Sequence, residues 1–304
     1  SLSVNFLNNE DLENFQNDLN KILDNYKTKS YDFSSNSLKA STQTNEVAGM
    51  VIKLTLTDFN KLKEVKDFYQ QYYSPSNAIL VIAGNIESDK AFELTEKWFA
   101  DIPEQNVNIS EVIQEPLQTE ERVKTHIASV PENMIIIAFQ MPGRLENGYF
   151  EGDLITDILS SGPSSRLQHQ LVKEKKFFSE IDAYITGSVE TGMFVIEGRL
   201  HNGVDIEVAK NAIWEEVKNI QENEISDIEL EKVKNQMLTY MRFSDASLLN
   251  KAISLAYYEL LGDAEMINEE SEEYEKITKE NIRDFAKKFL NISQSNTLYY
   301  LSKT

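Results

Sequence analysis

The sequence predicts an α+β fold built from two copies of one unit, the first of them incomplete. Three observations carry this prediction. Segments of helical period alternate with short apolar runs of strand length. One helix–turn–strand pattern occurs twice. The 304 residues also match about two domains of ordinary size.

The recurrence is specific in its residues. Val65-Lys66-Asp67-Phe68-Tyr69-Gln70-Gln71-Tyr72 precedes Ser76-Asn77 and an apolar run; Ile282-Arg283-Asp284-Phe285-Ala286-Lys287-Lys288-Phe289 precedes Ser295-Asn296 and another. The offset is 217 from Phe68 to Phe285 and 219 between the asparagines. The segment DIELEKVKNQM from Asp227 likewise echoes EDLENFQNDLN from Glu10. With a second copy starting near residue 126, this period puts the front of the first copy about 90 residues before residue 1. We therefore expect residues 1–105 to be a truncated first repeat, 106–125 a linker, and 126–304 a complete second repeat.

The elements follow from local pattern. Leu12, Phe15, Leu19, Ile22 and Leu23 fall at helical spacing, so 8–27 is read as an amphipathic helix and the Ser/Thr/Asn-rich stretch 28–49 mostly as loop. Leu62, Val65, Phe68, Tyr69 and Tyr72 mark the next helix, and its aromatic cluster with Tyr73 is read as core. Residues 78–83, all apolar, predict a strand buried on both faces. Ser88 is placed as the cap of a helix with Ala91, Leu94, Trp98 and Phe99, ending before Pro103. The polar stretch 104–125 reads as a connection whose end, TEERVK, begins an edge strand.

Strand 133–141 then leads through Pro142-Gly143 into a helix with Leu154, Ile155, Ile158 and Leu159, stopped at Gly162-Pro163. Ser164 is placed as the cap of a helix carrying Leu167, Leu171 and Val172. Strands at 178–188 and 192–200 are joined by Glu190-Thr191-Gly192, which predicts an antiparallel pair. Helices are expected at 205–222, 227–243, 247–261 and 278–290, with Gly262 ending the third, and 296–301 as the final strand.

Composition narrows the function. Thirty basic against fifty acidic residues give a net charge of −20, a field that repels phosphate backbones and anionic lipid surfaces. No nucleic-acid partner is expected. The absence of cysteine removes disulfides, thiolate metal sites and cysteine nucleophiles, and leaves the redox compartment unreadable. Runs such as Met134 to Phe139 are too short to cross a bilayer, and no signal peptide opens the chain, so a soluble protein without a membrane partner is expected, cytoplasmic or periplasmic. No Gly-rich phosphate loop, dinucleotide fingerprint or serine elbow occurs.

At this level the sequence resembles the pitrilysin, insulinase and mitochondrial processing peptidase family of zinc metallopeptidases. The segments FYQQYYSPSNAILVIAGNI and WFADIP resemble the end of that family's first domain. DLITDILSSGPSSRLQHQLVKEKKFFSEIDAYITGSVETGMFVIEGRL resembles the front of its second domain, with NKAISLAYYELLGDA following in the expected helical place. The resemblance covers residues 57–304. It implies tandem α+β domains, each an antiparallel sheet covered on one side by helices, and a peptide-sized chamber between two such halves. It also implies zinc held by an inverted H-x-x-E-H helix plus a later glutamate, the motif's own glutamate activating the bound water.

The zinc chemistry is not found in this chain. Two histidines four apart share one helix face and can grip one ion, but His126, His169 and His201 stand far apart. Each reads as a solvated or locally bonded imidazole. On the first helix the resemblance aligns Asn20, Lys21 or Ile22 with the later glutamate ligand, although a shift would offer Glu10 or Glu13. No cofactor is therefore expected in this chain.

The family's second half also supplies an arginine and, seven residues on, a tyrosine that contact substrate. Here Lys173 takes the arginine's place and Glu180 stands at the tyrosine's, with Tyr184 four residues further. Lysine keeps the charge but loses the planar fork, and glutamate cannot donate as a phenol does. Lys173, Tyr184 and Arg166 are the substrate-binding candidates implied by the resemblance, with a helix-start or interface role favoured for Arg166.

The expected function is thus a non-catalytic wall of a peptide chamber, with peptide or protein substrate as partner. Two alternatives remain open: a fragment or partner subunit of an active zinc metalloendopeptidase whose catalytic half lies elsewhere, and an acidic assembly or scaffold protein; the partners they imply are a zinc-bearing half or a second copy of the chain.

Overall fold

The computed structural model describes residues 62–104, 107 and 115–303. The readings made for 8–27 and 28–49, including the alignment of the zinc-ligand glutamate, lie outside the described residues. The described chain falls into two compact units, 62–80 with 85–104 and 81–84 with 115–303.

The smaller unit contains helix α1 (Leu62–Tyr72), a 3-10 turn at Pro75–Asn77 and helix α2 (Ser88–Phe99). Ser88 is the first helical residue, not the cap; Glu87 holds the cap position without a side-chain bond. The strand expected at 78–83 is an extended segment without a partner strand among the described residues. Its apolar run is a local preference only, because a strand requires a neighbour to take its N–H and C=O groups. The aromatic cluster pairs along α1, Phe68 with Tyr72 and Tyr69 with Tyr73, both at 4.7 Å between ring centres. Phe68, Tyr69 and Tyr73 are nevertheless exposed, so the cluster is not the core that its helical spacing suggested.

The larger unit is one five-stranded sheet with helices. In chain order it comprises β1 (Arg122–Ala128), β2 (Met134–Met141), α3 (Tyr149–Ser160), a wide π turn (Gln168–Glu174), β3 (Phe178–Ile185) and β4 (Gly192–Leu200). Then follow α4 (Ile206–Glu222), α5 (Asp227–Asp245), α6 (Leu248–Leu261), α7 (Glu270–Lys276), α8 (Lys279–Phe289) and β5 (Ser295–Ser302). The sheet order is β1-β5-β2-β4-β3. The β3–β4, β4–β2 and β2–β5 pairs are antiparallel, while the edge strand β1 runs parallel to β5. The α+β architecture of a sheet covered by helices is as expected, with that one parallel pair added.

Alternation along the strands sets the two faces. Ile135, Ile137, Phe139 and Met141 of β2 are buried, beside Phe194 and Ile196 of β4 and Ile181 and Ala183 of β3. They join Leu154, Ile158, Ile213, Val217 and Phe285 from the helices in one core. Phe139 meets Phe194 at 6.2 Å and Trp214 at 5.7 Å edge to face, the geometry aromatic quadrupoles favour. Gly198 is required here, since a Cβ would lie 2.6 Å from the Phe178 ring. The opposite face carries Met134, Ile136, Ala138, Met193, Val195, Tyr184, Leu298 and Tyr300 together with Glu197, Asp182 and Arg199.

Helix ends obey their caps. Asp205, Ser226 and Ser247 accept first-turn N–H groups of α4, α5 and α6, and Thr278 with Asn281 forms a capping box on α8. Gly262 follows α6 with φ +122°, and Gly162 follows α3 with φ +80°, both read from sequence as stops. Ser164 caps nothing; its hydroxyl instead accepts from Lys232 at 2.8 Å. The helix expected after it is wound wide, with Lys175 N–H reaching the Gln170 carbonyl, and this places both Leu167 and Leu171 in the core.

The internal repeat is visible in the element bounds. Leu62–Tyr72 and Pro75–Asn77 shifted by 217 give Lys279–Phe289 and Ile292–Gln294. The register stays at 217 through the turn, so Asn77 corresponds to Gln294 and the Ser-Asn match at 219 is not a structural equivalence.

Candidate functional site

The three substrate-binding candidates occupy different surroundings. Arg166 precedes the π turn and forms a forked pair with Glu229 of α5, Nε to Oε1 and Nη2 to Oε2, both 2.8 Å. This bidentate bond raises the arginine's pKa further and ties the π turn to the start of α5. Lys173 is exposed and donates to the Pro163 carbonyl at 2.7 Å. Tyr184 stands on the face of β3 opposite Ile181 and Ala183, and its hydroxyl donates to Glu197 at 3.2 Å. Partial burial, then Glu197, raises its pKa. Glu180 meets Arg199 at 3.6 Å on the exposed strand surface. Arg166 and Lys173 thus share one turn, whereas Tyr184 belongs to the sheet face away from the helical core.

The histidines do not converge. His126 of β1 stacks on Tyr300 at 5.1 Å. His169 lies in the π turn, 3.9 Å from Glu174, and His201 follows β4, its backbone N–H on the Phe177 carbonyl. Among the described residues no group of three His, Cys, Asp or Glu side chains could hold a metal ion. The donor set of the described residues does not fit zinc. No helix among the described residues is long and apolar enough to cross a membrane.

Sequence reasoning did not find the densest polar network. Arg144 follows the Pro142-Gly143 corner, and its backbone N–H meets the carbonyls of Ser188 and Val189. Gly143 allows that approach, because a Cβ there would lie 2.6 Å from the Glu190 carbonyl oxygen. The Arg144 side chain is only 6% exposed. Nη2 donates to Tyr258 at 2.8 Å and Glu270 at 2.5 Å, and Tyr149 and Phe150 lie at 4.7 Å from its carbon centre. Burial opposes its charge most strongly, but Glu270 together with the phenols of Tyr258, Tyr149 and Tyr274 outweighs this and its pKa is raised. Burial pushes the Tyr149 phenol up to about 12. Nearby, Tyr274 donates to Asp153 at 2.6 Å, and burial raises the Asp153 pKa against that bond.

One turn further along α3, burial and then Asp153 push Asp157 up to about 6. A carboxyl that holds its proton more tightly folded than unfolded loses stability as pH rises between the two values. Stability should therefore fall from about pH 4 to about pH 6. Asp157→Asn should be more stable than the parent at pH 7 by about 2 kcal/mol, with the gap closing near pH 4. Urea unfolding at both pH values measures this, and parallel curves would refute it.

Comparison with known proteins decides the family. The profile described as "Peptidase M16 inactive domain" matches residues 60–237. The chain belongs to the peptidase M16 inactive domain family. Zinc protease PqqE of Helicobacter pylori is 24% identical over 242 residues, 78% of this chain and 54% of that protein. The chain thus spans about half the length of this curated relative. The solved peptidase M16 inactive domain from Pseudomonas fluorescens superimposes with a TM-score of 0.66 at 17% identity, covering 84% of this chain and 59% of the other. The periplasmic protease PqqL of Escherichia coli gives a TM-score of 0.62 at 16% identity, over 79% of this chain and 28% of its own. This is an inactive M16 peptidase-family domain, and its relatives include zinc proteases.

Proposed function

We propose that the chain forms the non-catalytic wall of a peptide chamber, completed by a zinc-bearing half on other sequence. The observation that carries this reading is the face of the sheet turned away from the helical core. There Met193, 48% exposed, shares one face with Tyr184, Val195 and Leu298 and with the polar Glu197, Asp182 and Arg199. Apolar patches interrupted by hydrogen-bonding groups suit an extended peptide. In this reading residues 1–105 belong to a first repeat, 106–125 to the connection and 126–304 to a second repeat. Tyr184 is the chamber contact; Lys173, held only by a carbonyl, can turn its ammonium to a guest; Arg166 positions the turn through Glu229.

The purified chain should carry no stoichiometric zinc and hydrolyse no peptide, while binding a pool of fluorescein-labelled decapeptides measurably by anisotropy. Tyr184→Ala and Met193→Glu should each weaken that binding about tenfold, or roughly 1.4 kcal/mol, without changing the melting temperature. Stoichiometric zinc with peptide hydrolysis by this polypeptide would end the reading. So would unchanged binding in both variants.

A further inference from the structure

The sheet is open at its β1 edge. Among the described residues β1 has one partner strand, β5, and six of its seven residues are exposed. One bond fixes the direction of its backbone groups: the Ala128 carbonyl accepts the Lys303 N–H at 2.9 Å, on the β5 side. Along a strand the residues turn both backbone groups alternately to one neighbour and the other, and the β1–β5 register runs unbroken from Arg122 to Ala128. Arg122, Lys124 and His126 therefore bond toward β5, which leaves the N–H and C=O groups of Val123, Thr125 and Ile127 turned outward.

The side chains supply a second observation, independent of the backbone. Thr125 pairs with the buried Tyr299, so Val123 and Ile127 lie on the helical side of the sheet, yet they are 50% and 58% exposed. His126 stacks on Tyr300, which puts Arg122 and Lys124 with it on the other side. Those two cations form no ion pair with a described residue, and the adjacent Glu121 is already held by Lys210 at 2.6 Å. At physiological salt the net charge of −20 is screened beyond about 8 Å, so Arg122 and Lys124 set the local sign. Lysine on an edge strand deters a second copy of that edge: a two-fold pair of β1 strands would set outward residue against outward residue and bring both sets of cations onto one face. The same cations attract a strand of opposite charge.

We propose that the outer edge of β1 takes up an extended acidic segment of a partner polypeptide, which adds a strand to the five-stranded sheet. The segment alternates β-branched residues, which cover Val123 and Ile127, with Asp or Glu, which meet Lys124 and Arg122, while its backbone pairs with the outward groups. β1 and β3 are opposite edges of the sheet, so the assignment does not rest on Tyr184 and its failure would leave the chamber reading standing.

The probe is acetyl-Val-Glu-Thr-Glu-Val-Glu-amide, whose residues in antiparallel pairing stand opposite Ile127 through Arg122 in turn. Titrated into the isotope-labelled full chain, it should give saturable NMR shifts at the amides of 122–128 and slow the hydrogen exchange of Val123, Thr125 and Ile127. The analogue with lysine for each glutamate should bind at least about tenfold more weakly. So should the probe N-methylated at its threonine, whose N–H the Thr125 carbonyl would otherwise accept. Lys124→Glu, a change of an exposed side chain, should weaken the acidic probe about tenfold and tighten the lysine analogue, with the melting temperature unchanged. Equal binding of either analogue, no saturable shift, or a concentration-dependent dimer that protects the same three amides without any probe would overturn the proposal.

Discussion

Glu270→Ala should destabilise the larger unit by about 3–5 kcal/mol, the usual cost of stranding a buried charge. Its partner Arg144 is only 6% exposed and has no other carboxylate of the described residues within ion-pair distance. After the change, Tyr258 would be its remaining polar side-chain partner. Glu270→Gln keeps an acceptor in place and should cost less than half as much. Replacing both members with Arg144→Met and Glu270→Leu should recover most of the loss, because apolar groups need no counter-charge. Urea unfolding of the four proteins separates these cases. A single-alanine loss below about 1 kcal/mol would show that water reaches the guanidinium.

Phe194→Ala should cost a similar amount, about 3–5 kcal/mol. The ring is fully buried, meets Phe139 at 6.2 Å and Phe285 at 6.5 Å, and so joins the sheet to α8. Its neighbour in sequence provides the control. Met193 points to the other face and is half exposed, so Met193→Ala should stay within about 0.5 kcal/mol of the parent. Thermal and chemical unfolding of the pair would test the assignment of faces, and equal losses would contradict it.

Much of the fold was legible in the chain because its signals are local. Alternation in β2 and β4, the 3.6-residue period of α3 to α6 and α8, and the stops at Gly162 and Gly262 need only neighbouring residues to be read. The repeat was legible too, since Phe68 and Phe285 sit in helices whose bounds coincide under one shift. What escaped was pairing over distance. Residues 78–83 have the composition of a strand, but only a neighbour makes one. The parallel run of β1 beside β5 is decided by contacts between Arg122–Ala128 and residues near the other end of the unit.

The candidate site shows the same division. The missing two-histidine spacing could be read directly, whereas the partner of Arg166, Glu229 of α5, could not. The Arg144 network could not be anticipated. Its members Tyr258 and Glu270 stand 114 and 126 residues away, and nothing near Pro142-Gly143 signals them. The Glu269–Glu273 run has the composition of a solvated helix start, yet Glu270 turns inward to Arg144.

The position of β5 also bears on how the molecule is made. It is the last strand of the unit, yet it lies between β1 and β2. During translation β1 leaves the ribosome long before its partner exists, and its Val123 and Ile127 stay without a ladder until residues 296–302 emerge. The nascent chain can pair β3 with β4 and β4 with β2 early, but must finish its sheet from the inside. A ribosome-stalled chain ending at Leu290 should therefore be more open to protease at Arg122–Ala128 than the released protein.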